Sequence, residues 1–313
     1  MRFISYDAGV PLLTWEGAID ALRKGHKLAR PESEDVLLGP SGALMLNRTA
    51  YIPGLGYAVK AETTLPSNVT QGLPAIQGAV LLFDAETGSV RAVIDSKLVT
   101  EFKTAADSIL AAQLLARPDS RHLLIVGAGV VAASLAKAYK SVFPGLERIS
   151  IWARRFEQSK GLVSSLGDIP VELEPVEDLA AAVERADIVS TATGSEEPLV
   201  LGDWVCPGTH IDLIGAFTPD MRESDDALMA KGTIYVDFRD TTIDRTGDLM
   251  QPIATGAITR EDVRGDLYDL VHYSSTARLA ENEITVYKNG GGAHLDLMIA
   301  SYIANMFAEA VTA

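Results

Sequence analysis

The 313-residue chain contains a single cysteine, Cys206. One thiol excludes an internal disulfide framework and any cysteine-based zinc site. Histidine is scarce as well. His26, His122, His210, His272 and His294 are scattered without metal-ligand spacing, so no metal centre is expected. Cationic charge is deficient: 27 Lys and Arg against 42 Asp and Glu leave a formal net charge of −15. That balance argues against a nucleic-acid partner and against an anionic membrane surface. No uninterrupted apolar run is long enough to span a bilayer, and the opening Met1-Arg-Phe-Ile-Ser-Tyr-Asp7 lacks the basic-then-apolar order of a secretion signal. A cytoplasmic protein is expected. Repeats and low-complexity tracts are absent too. What is there is 47% apolar and 22% charged, enough to bury a substantial core in two domains.

The most informative stretch runs from His122 to Ala136. Leu123 to Val126 reads as a buried strand, which breaks at Gly127-Ala128-Gly129 and resumes as an alanine-rich helix to about Phe143. This is the strand–turn–helix opening of a dinucleotide site, with Ala132 in the third position of G-x-G-x-x-G/A. Gly127 permits the tight turn, and Gly129 lets the backbone approach a pyrophosphate. The N–H groups from Ala128 to Val130 then open the helix toward the phosphates. Strands follow at 148–152, 171–174, 187–193, 210–215 and 233–237, with helices at 156–166, 176–185 and 225–231. Such alternation implies a parallel sheet covered on both faces. A helical stretch from Ile258 to Tyr273, a strand from Ile284 to Tyr287 and a helix from Leu295 to Ala310 close the chain.

The second of these strands ends Ile151-Trp-Ala153-Arg154-Arg155. An NAD site usually places an acid here for the ribose 2′-hydroxyl, whereas two arginines suit the 2′-phosphate of NADPH. NADPH is therefore favoured over NADH. A solvated arginine pair opening a helix is the alternative. Thr191-Ala192-Thr193 falls at the C-terminal end of a parallel strand, where such sheets bind ligands. Upstream, a short strand (2–5), a helix from Leu12 capped by Thr14, and a polar loop (31–35) precede strands at 43–46, 56–62, 78–83 and 90–94. Asp84 to Gly88 reads as a hairpin turn, Thr100 to Ala116 as a helix, and Arg117 to Ser120 as a hinge.

Separated motifs occur in one order: Val59-Lys60, Gly78 to Asp84, Lys103-Thr-Ala-Ala106, the Gly127 turn, Pro198, Gly208, Gly215 to Glu223, Tyr235-Val-Asp237, Gly247-Asp-Leu249 and Gly291 to Asp296. Together they resemble the ornithine cyclodeaminase/mu-crystallin family over nearly the whole chain. The resemblance implies an α/β fold: a Rossmann doubly wound parallel sheet (118–290) plus an α+β substrate-binding and dimerisation domain (1–117 with 291–313). It also implies a homodimer and an NAD(P)H-dependent oxidoreductase acting on C=N and CH–NH bonds.

By the same resemblance, Lys60 holds a substrate carboxylate, the alternative being a solvated lysine on an edge strand. Lys103 stands where relatives carry an arginine, so a point charge replaces a two-pronged donor. Thr104 either caps its helix or bonds a cofactor phosphate. The arginine that relatives place near Asp35 is missing, and Arg48 or Arg30 is the candidate replacement. Gln77 borders cofactor and substrate in relatives, or satisfies loop carbonyls. Gly292 joins the substrate side, Asp296 matches a family aspartate, and His294 faces the site, caps the closing helix or lies exposed at the surface. Cyclodeaminases carry an aspartate two residues before Pro219, where this chain has Phe217. A phenyl ring cannot accept a proton or pair with an amine, but suits an apolar ring portion, or ordinary packing.

The expected activity is NADPH-dependent reduction of small cyclic imino acids: Δ1-pyrroline-2-carboxylate to L-proline, and Δ1-piperideine-2-carboxylate to L-pipecolate. Ornithine cyclodeaminase, alanine or N-alkyl amino-acid dehydrogenase, and iminosuccinate reductase are the alternatives within the family. A mu-crystallin-like small-molecule binder is the alternative outside catalysis.

Overall fold

A computed structural model describes residues 2–40, 42–167, 169–273 and 277–312. The chain begins with β1 (Arg2–Ile4), α1 (Tyr6–Gly9), α2 (Trp15–Gly25), β2 (Glu32–Leu38), β3 (Leu44–Ile52), β4 (Gly56–Thr64), β5 (Ile76–Phe83), β6 (Val90–Asp95) and α3 (Ser96–Leu115). It continues with β7 (His122–Val126), α4 (Val130–Val142), β8 (Arg148–Trp152), α5 (Phe156–Leu166), β9 (Glu172–Val176), α6 (Leu179–Arg185), β10 (Ile188–Thr191) and β11 (His210–Leu213). The last elements are α7 (Asp226–Lys231), β12 (Thr233–Val236), α8 (Arg239–Thr242), α9 (Gly247–Thr255), β13 (Val263–Asp266), α10 (Leu267–His272), β14 (Thr285–Lys288) and α11 (Ala293–Thr312). They form two units: Met1–Ala106 with Gly292–Ala313, and Asp107–Gly291.

The first unit is a six-stranded sheet in the order β1-β6-β5-β4-β3-β2, antiparallel except for β1 on β6. α11 packs against β3 and β4, and α2 packs against α11. α2 starts at Thr14, whose hydroxyl accepts the Gly17 N–H at 3.0 Å. It buries Ala18, Ile19 and Leu22 at helical spacing. The two-residue period of β4 places Ala58, Lys60 and Glu62 on one buried face. Register then sets a cross-strand row: Asp35 opposite Arg48, Arg48 opposite Lys60, and Lys60 opposite Val80. Two expectations are corrected here. Residues 31–35 are not a loop, because Glu32 to Asp35 belong to edge strand β2; polar residues on both faces hide its alternation. β3 runs to Ile52 rather than stopping at Leu46.

The second unit is an all-parallel eight-stranded sheet in the order β13-β12-β14-β11-β10-β7-β8-β9. Order runs outward from β7 through β8 and β9 on one side and through β10 and β11 on the other. The C-terminal ends of β7 and β10 are therefore the switch point where doubly wound sheets take ligands. β7, β10, β11 and β14 are buried throughout, as parallel strands covered on both faces must be. The fold is thus a Rossmann doubly wound sheet accompanied by an α+β unit. The stretch from Ile258 to Tyr273 is not one helix. It comprises a 3₁₀ turn at Arg260–Asp262, then β13, then α10. Asp266 and Asp269 close a reciprocal capping box, so the chain leaves β13 and starts a new helix there.

Asp212, on β11, is fully buried and accepts hydrogen bonds from Ser108 Oγ at 2.9 Å and Ser190 Oγ at 2.5 Å. Burial raises its pKa to about 7, against the opposing effect of the two serines and Lys288. A carboxyl whose folded pKa lies above its unfolded value contributes stability fully below the unfolded pKa, near 3.8, and loses it as pH rises through about 7. Melting temperature should therefore fall between pH 5 and 8 in the parent and fall less in Asp212→Asn. Parallel melting curves for the two proteins across that range would exclude this account.

Candidate active site

In the first unit, β3, β4, α3 and α11 bring a set of charges together under cover. Lys60 Nζ donates to Thr100 Oγ1 at 2.6 Å, and lies 3.2 Å from Glu62 Oε2 and 3.5 Å from Asp296 Oδ1. Lys103 Nζ lies 3.5 Å from that same Asp296 oxygen. The two lysine side chains are only 5% and 6% exposed. Each position has a local cause. Thr100 and Lys103 are three apart on α3 and share a face. Asp296 sits in the first turn of α11, where the helix N-terminus favours an anion. Arg48, next to Lys60 in register, pairs with Asp35 at 3.2 Å. These three cations and three carboxylates balance.

Burial pushes the Lys103 ammonium below its usual range; Asp296 opposes this, while Lys60 and Arg48 add to it. Burial would raise the Asp296 carboxyl, but Lys103, Lys60 and Arg48 hold it below the usual range. Asp296 is thus a carboxylate shared by two ammonium groups at ion-pair distance. His294 is fully buried, and desolvation drives its pKa well below the ordinary value, helped by His26, Lys103 and Arg48. It is neutral at pH 7 and is not a standing acid. His26 meets it edge-on, with ring centroids 5.7 Å apart.

Not every residue singled out in the sequence joins this group. Gln77 lies at the exposed start of β5, its amide directed at the Pro74 carbonyl at 3.4 Å. Thr104 is half-buried on α3. Gly292 supplies the carbonyl that accepts the Leu295 N–H at the start of α11. Conversely, Glu62, Thr100 and Asp35 were not foreseen. Glu62 was detectable as Lys60 plus two on a strand, and Thr100 as Lys103 minus three on a helix.

The second unit carries a cavity of about 380 Å³ at its switch point, lined by Gly127, Ala128, Ala153, Arg154, Arg155, Ala192 and Thr193. Gly127 has φ +134°, and a Cβ there would stand 2.5 Å from the Ala192 carbonyl. Glycine is needed for both reasons. Gly129 opens α4 with nothing near its missing Cβ, and Val130 follows it at the exposed helix start. The Gly127 N–H is held by the Trp152 carbonyl at 2.8 Å, and the start of α4 turns its first N–H groups to an open cradle, which fits a dinucleotide pyrophosphate. Arg154 and Arg155 are exposed at the start of α5. Thr191 is fully buried and turns its hydroxyl inward to Glu223 at 2.7 Å, leaving Ala192 and Thr193 on the cavity wall. Phe217 is 69% exposed, so it is not a core residue. Among the described residues, no group of three or more His, Cys, Asp or Glu is placed to hold a metal. No described helix is long and apolar enough to cross a membrane.

The chain is similar to known proteins over nearly its whole length. Residues 29–310 match the model of the ornithine cyclodeaminase/mu-crystallin family. The chain is 58% identical over 307 residues to the Δ1-pyrroline-2-carboxylate reductase of Paracoccus denitrificans, covering 98% of this chain and 97% of that one. Among solved structures, the Thermococcus litoralis Δ1-pyrroline-2-carboxylate reductase, in complex with NADH and L-proline, superposes with a TM-score of 0.93 at 26% identity. That match covers 99% of this chain and 98% of the other. An archaeal alanine dehydrogenase dimer with bound NAD gives a TM-score of 0.91 at 25% identity, over 100% and 97% of the two chains. The chain belongs to the ornithine cyclodeaminase/mu-crystallin family.

Proposed function

We propose that this protein is an NADPH-dependent reductase of small cyclic imino acids, taking Δ1-pyrroline-2-carboxylate to L-proline and its six-membered homologue to L-pipecolate. The observation that carries this reading is the buried pair Lys60 and Lys103, joined through one oxygen of Asp296. Lys103, which meets Asp296, keeps N–H donors for a second carboxylate, that of the substrate, while Lys60 takes up that carboxylate by exchanging one of its three partners, Thr100, Glu62 or Asp296. With cations and carboxylates already balanced, a substrate carboxylate is best matched by a cationic iminium on the same molecule. The iminium is also the better electrophile.

Gly127, Ala128, Arg154, Arg155 and Thr193 would hold the nicotinamide cofactor, which would supply the hydride that turns the iminium into the ring amine. The protein's part is to hold the ring. Lys60, fixed by Thr100 and Glu62, anchors the carboxylate, and Lys103 completes the grip. Fixing donor and acceptor at near-contact distance supplies much of the rate. Arg154 and Arg155, beside the Gly127 turn, support the 2′-phosphate of NADPH as the cofactor's distinguishing group. The neighbours' structures hold NADH and NAD, so the reading of NADPH here rests on Arg154 and Arg155 alone.

Phe217 separates this reading from a cyclodeaminase. Given L-ornithine and oxidised cofactor, the protein should release little ammonia, yet it should consume NADPH with Δ1-pyrroline-2-carboxylate. Robust ammonia release from ornithine would overturn the assignment in favour of deamination.

The sheet face opposite Lys60 presents Val36, Leu38, Met45 and Tyr57 to solvent. An apolar face of this kind supports a homodimer through the first unit, as does the dimeric alanine dehydrogenase neighbour. Sedimentation should give twice the chain mass of 33.4 kDa; a monomer at micromolar concentration would refute it.

A further inference from the structure

Glu223 lies outside every role described so far. Its side chain is fully buried behind the switch point, and its carboxylate receives four hydrogen bonds. Oε1 accepts the Thr193 N–H at 2.8 Å and the Thr193 hydroxyl at 2.7 Å. Oε2 accepts the Gly215 N–H at 2.6 Å and the Thr191 hydroxyl at 2.7 Å. Thr191 and Thr193 belong to the end of β10 and the loop after it; Gly215 belongs to the loop after β11. One carboxylate therefore ties together the two loops at the ligand-facing edge of the sheet.

The tie is rigid at its base as well. The Glu223 N–H donates to Asp248 Oδ1 at 2.8 Å, and Asp248 Oδ2 lies 3.0 Å from Lys288 Nζ, both side chains being fully buried. The two loops also touch directly. A Cβ on Gly215 would lie 1.9 Å from the Thr193 carbonyl and 2.5 Å from Glu223 Oε1. Thr193 lines the switch-point cavity, and Gly215 is two residues from exposed Phe217.

We infer that Glu223 is a positioning residue that sets the cofactor-facing loop of Thr193 and the Phe217 loop as one body. The tie therefore acts on the grip of the cofactor. This rests on the reading that Thr193 faces a nicotinamide cofactor. A carboxylate is required because each of its oxygens accepts a backbone N–H. An amide in either orientation turns an NH₂ group toward one of those N–H donors, and the loop carrying it must move.

The test measures NADPH and NADH dissociation constants by protein-fluorescence titration, with kcat and KM for Δ1-pyrroline-2-carboxylate and a melting temperature for each variant. Glu223→Gln should raise the NADPH dissociation constant about tenfold. Thr193→Val should weaken the cofactor alone. The double variant should bind the cofactor no more weakly than Glu223→Gln, since both changes break the same tie. If Glu223→Gln does not fold, Thr191→Val decides. Its side chain is buried away from any ligand, yet its loss should raise the NADPH dissociation constant about threefold while leaving the protein folded. Parental cofactor binding in a folded Glu223→Gln or Thr191→Val would overturn the inference, as would multiplicative effects in the double variant. A parent that binds cofactor but reduces no imino acid would refute the proposed reaction and leave the binding arm to judge the tie.

Discussion

Lys60→Ala should lower kcat/KM for the imino acid by roughly two to four orders of magnitude, with the NADPH dissociation constant almost unchanged. The expectation comes from the ion pairs rather than from the lysine alone. Lys60 sits among Thr100, Glu62 and Asp296, and its removal leaves both carboxylates short of a cation in a buried place. An incoming substrate carboxylate would then meet uncompensated negative charge. Breaking one side of a buried pair typically costs about 3–5 kcal/mol, and that range sets the size of the effect. Lys60→Arg should recover part of the activity, because a longer planar group displaces the carboxylate it holds. A second signature follows from Lys103, whose pKa is depressed by burial and further by the neighbouring Lys60 charge. The alkaline limb of kcat/KM should fall below the usual lysine range in the parent. In Lys60→Ala it should move to higher pH, since one of the depressing charges is gone. Near-normal turnover in Lys60→Ala with none in Lys103→Ala would assign the anchor to Lys103 instead.

Replacing Arg154 and Arg155 together by alanine should weaken NADPH about a hundredfold or more and leave NADH within a few-fold. Arg154 and Arg155 both line the cavity that holds the Gly127 turn; the nearby Glu157 is paired with Lys160, and among the described residues neither arginine forms an ion pair. Because they are exposed, the effect should shrink as salt rises. Equal catalytic efficiency of the parent with NADPH and NADH would contradict the preference.

The second unit was largely legible in the sequence because its signals are local. A buried apolar strand, the Gly127 turn and an alanine-rich helix follow one another within twenty residues, and regular βα alternation repeats the pattern. The glycine requirement at Gly127 has a cause the sequence could not supply: the Ala192 carbonyl, far along the chain, occupies the space a Cβ would need. The first unit was less legible. β2 carries polar residues on both faces, so nothing in its periodicity marked it as a strand. Its pairing with β3 places Asp35 beside Arg48, and the pairing of β3 with β4 places Arg48 beside Lys60, where the missing upstream arginine leaves a cation wanting. The link from Lys60 and Lys103 to Asp296 joins positions nearly two hundred residues or more apart. Only the packing of α11 on the sheet brings it about. Glu223 entered the sequence only as the last residue of the Gly215–Glu223 motif, because its role, two backbone N–H and two threonine hydroxyl contacts, leaves no local residue pattern.

The central claim is that a lysine-held carboxylate presents a cyclic imine for reduction, and a pair of substrates differing only in that carboxylate tests it most directly. NADPH oxidation should be followed with Δ1-pyrroline-2-carboxylate and with Δ1-pyrroline, at equal concentration and at neutral pH. The account predicts rapid oxidation with formation of L-proline from the first, and at least a hundredfold lower kcat/KM with the second. Equal rates with both, or no oxidation with the carboxylate, would contradict it.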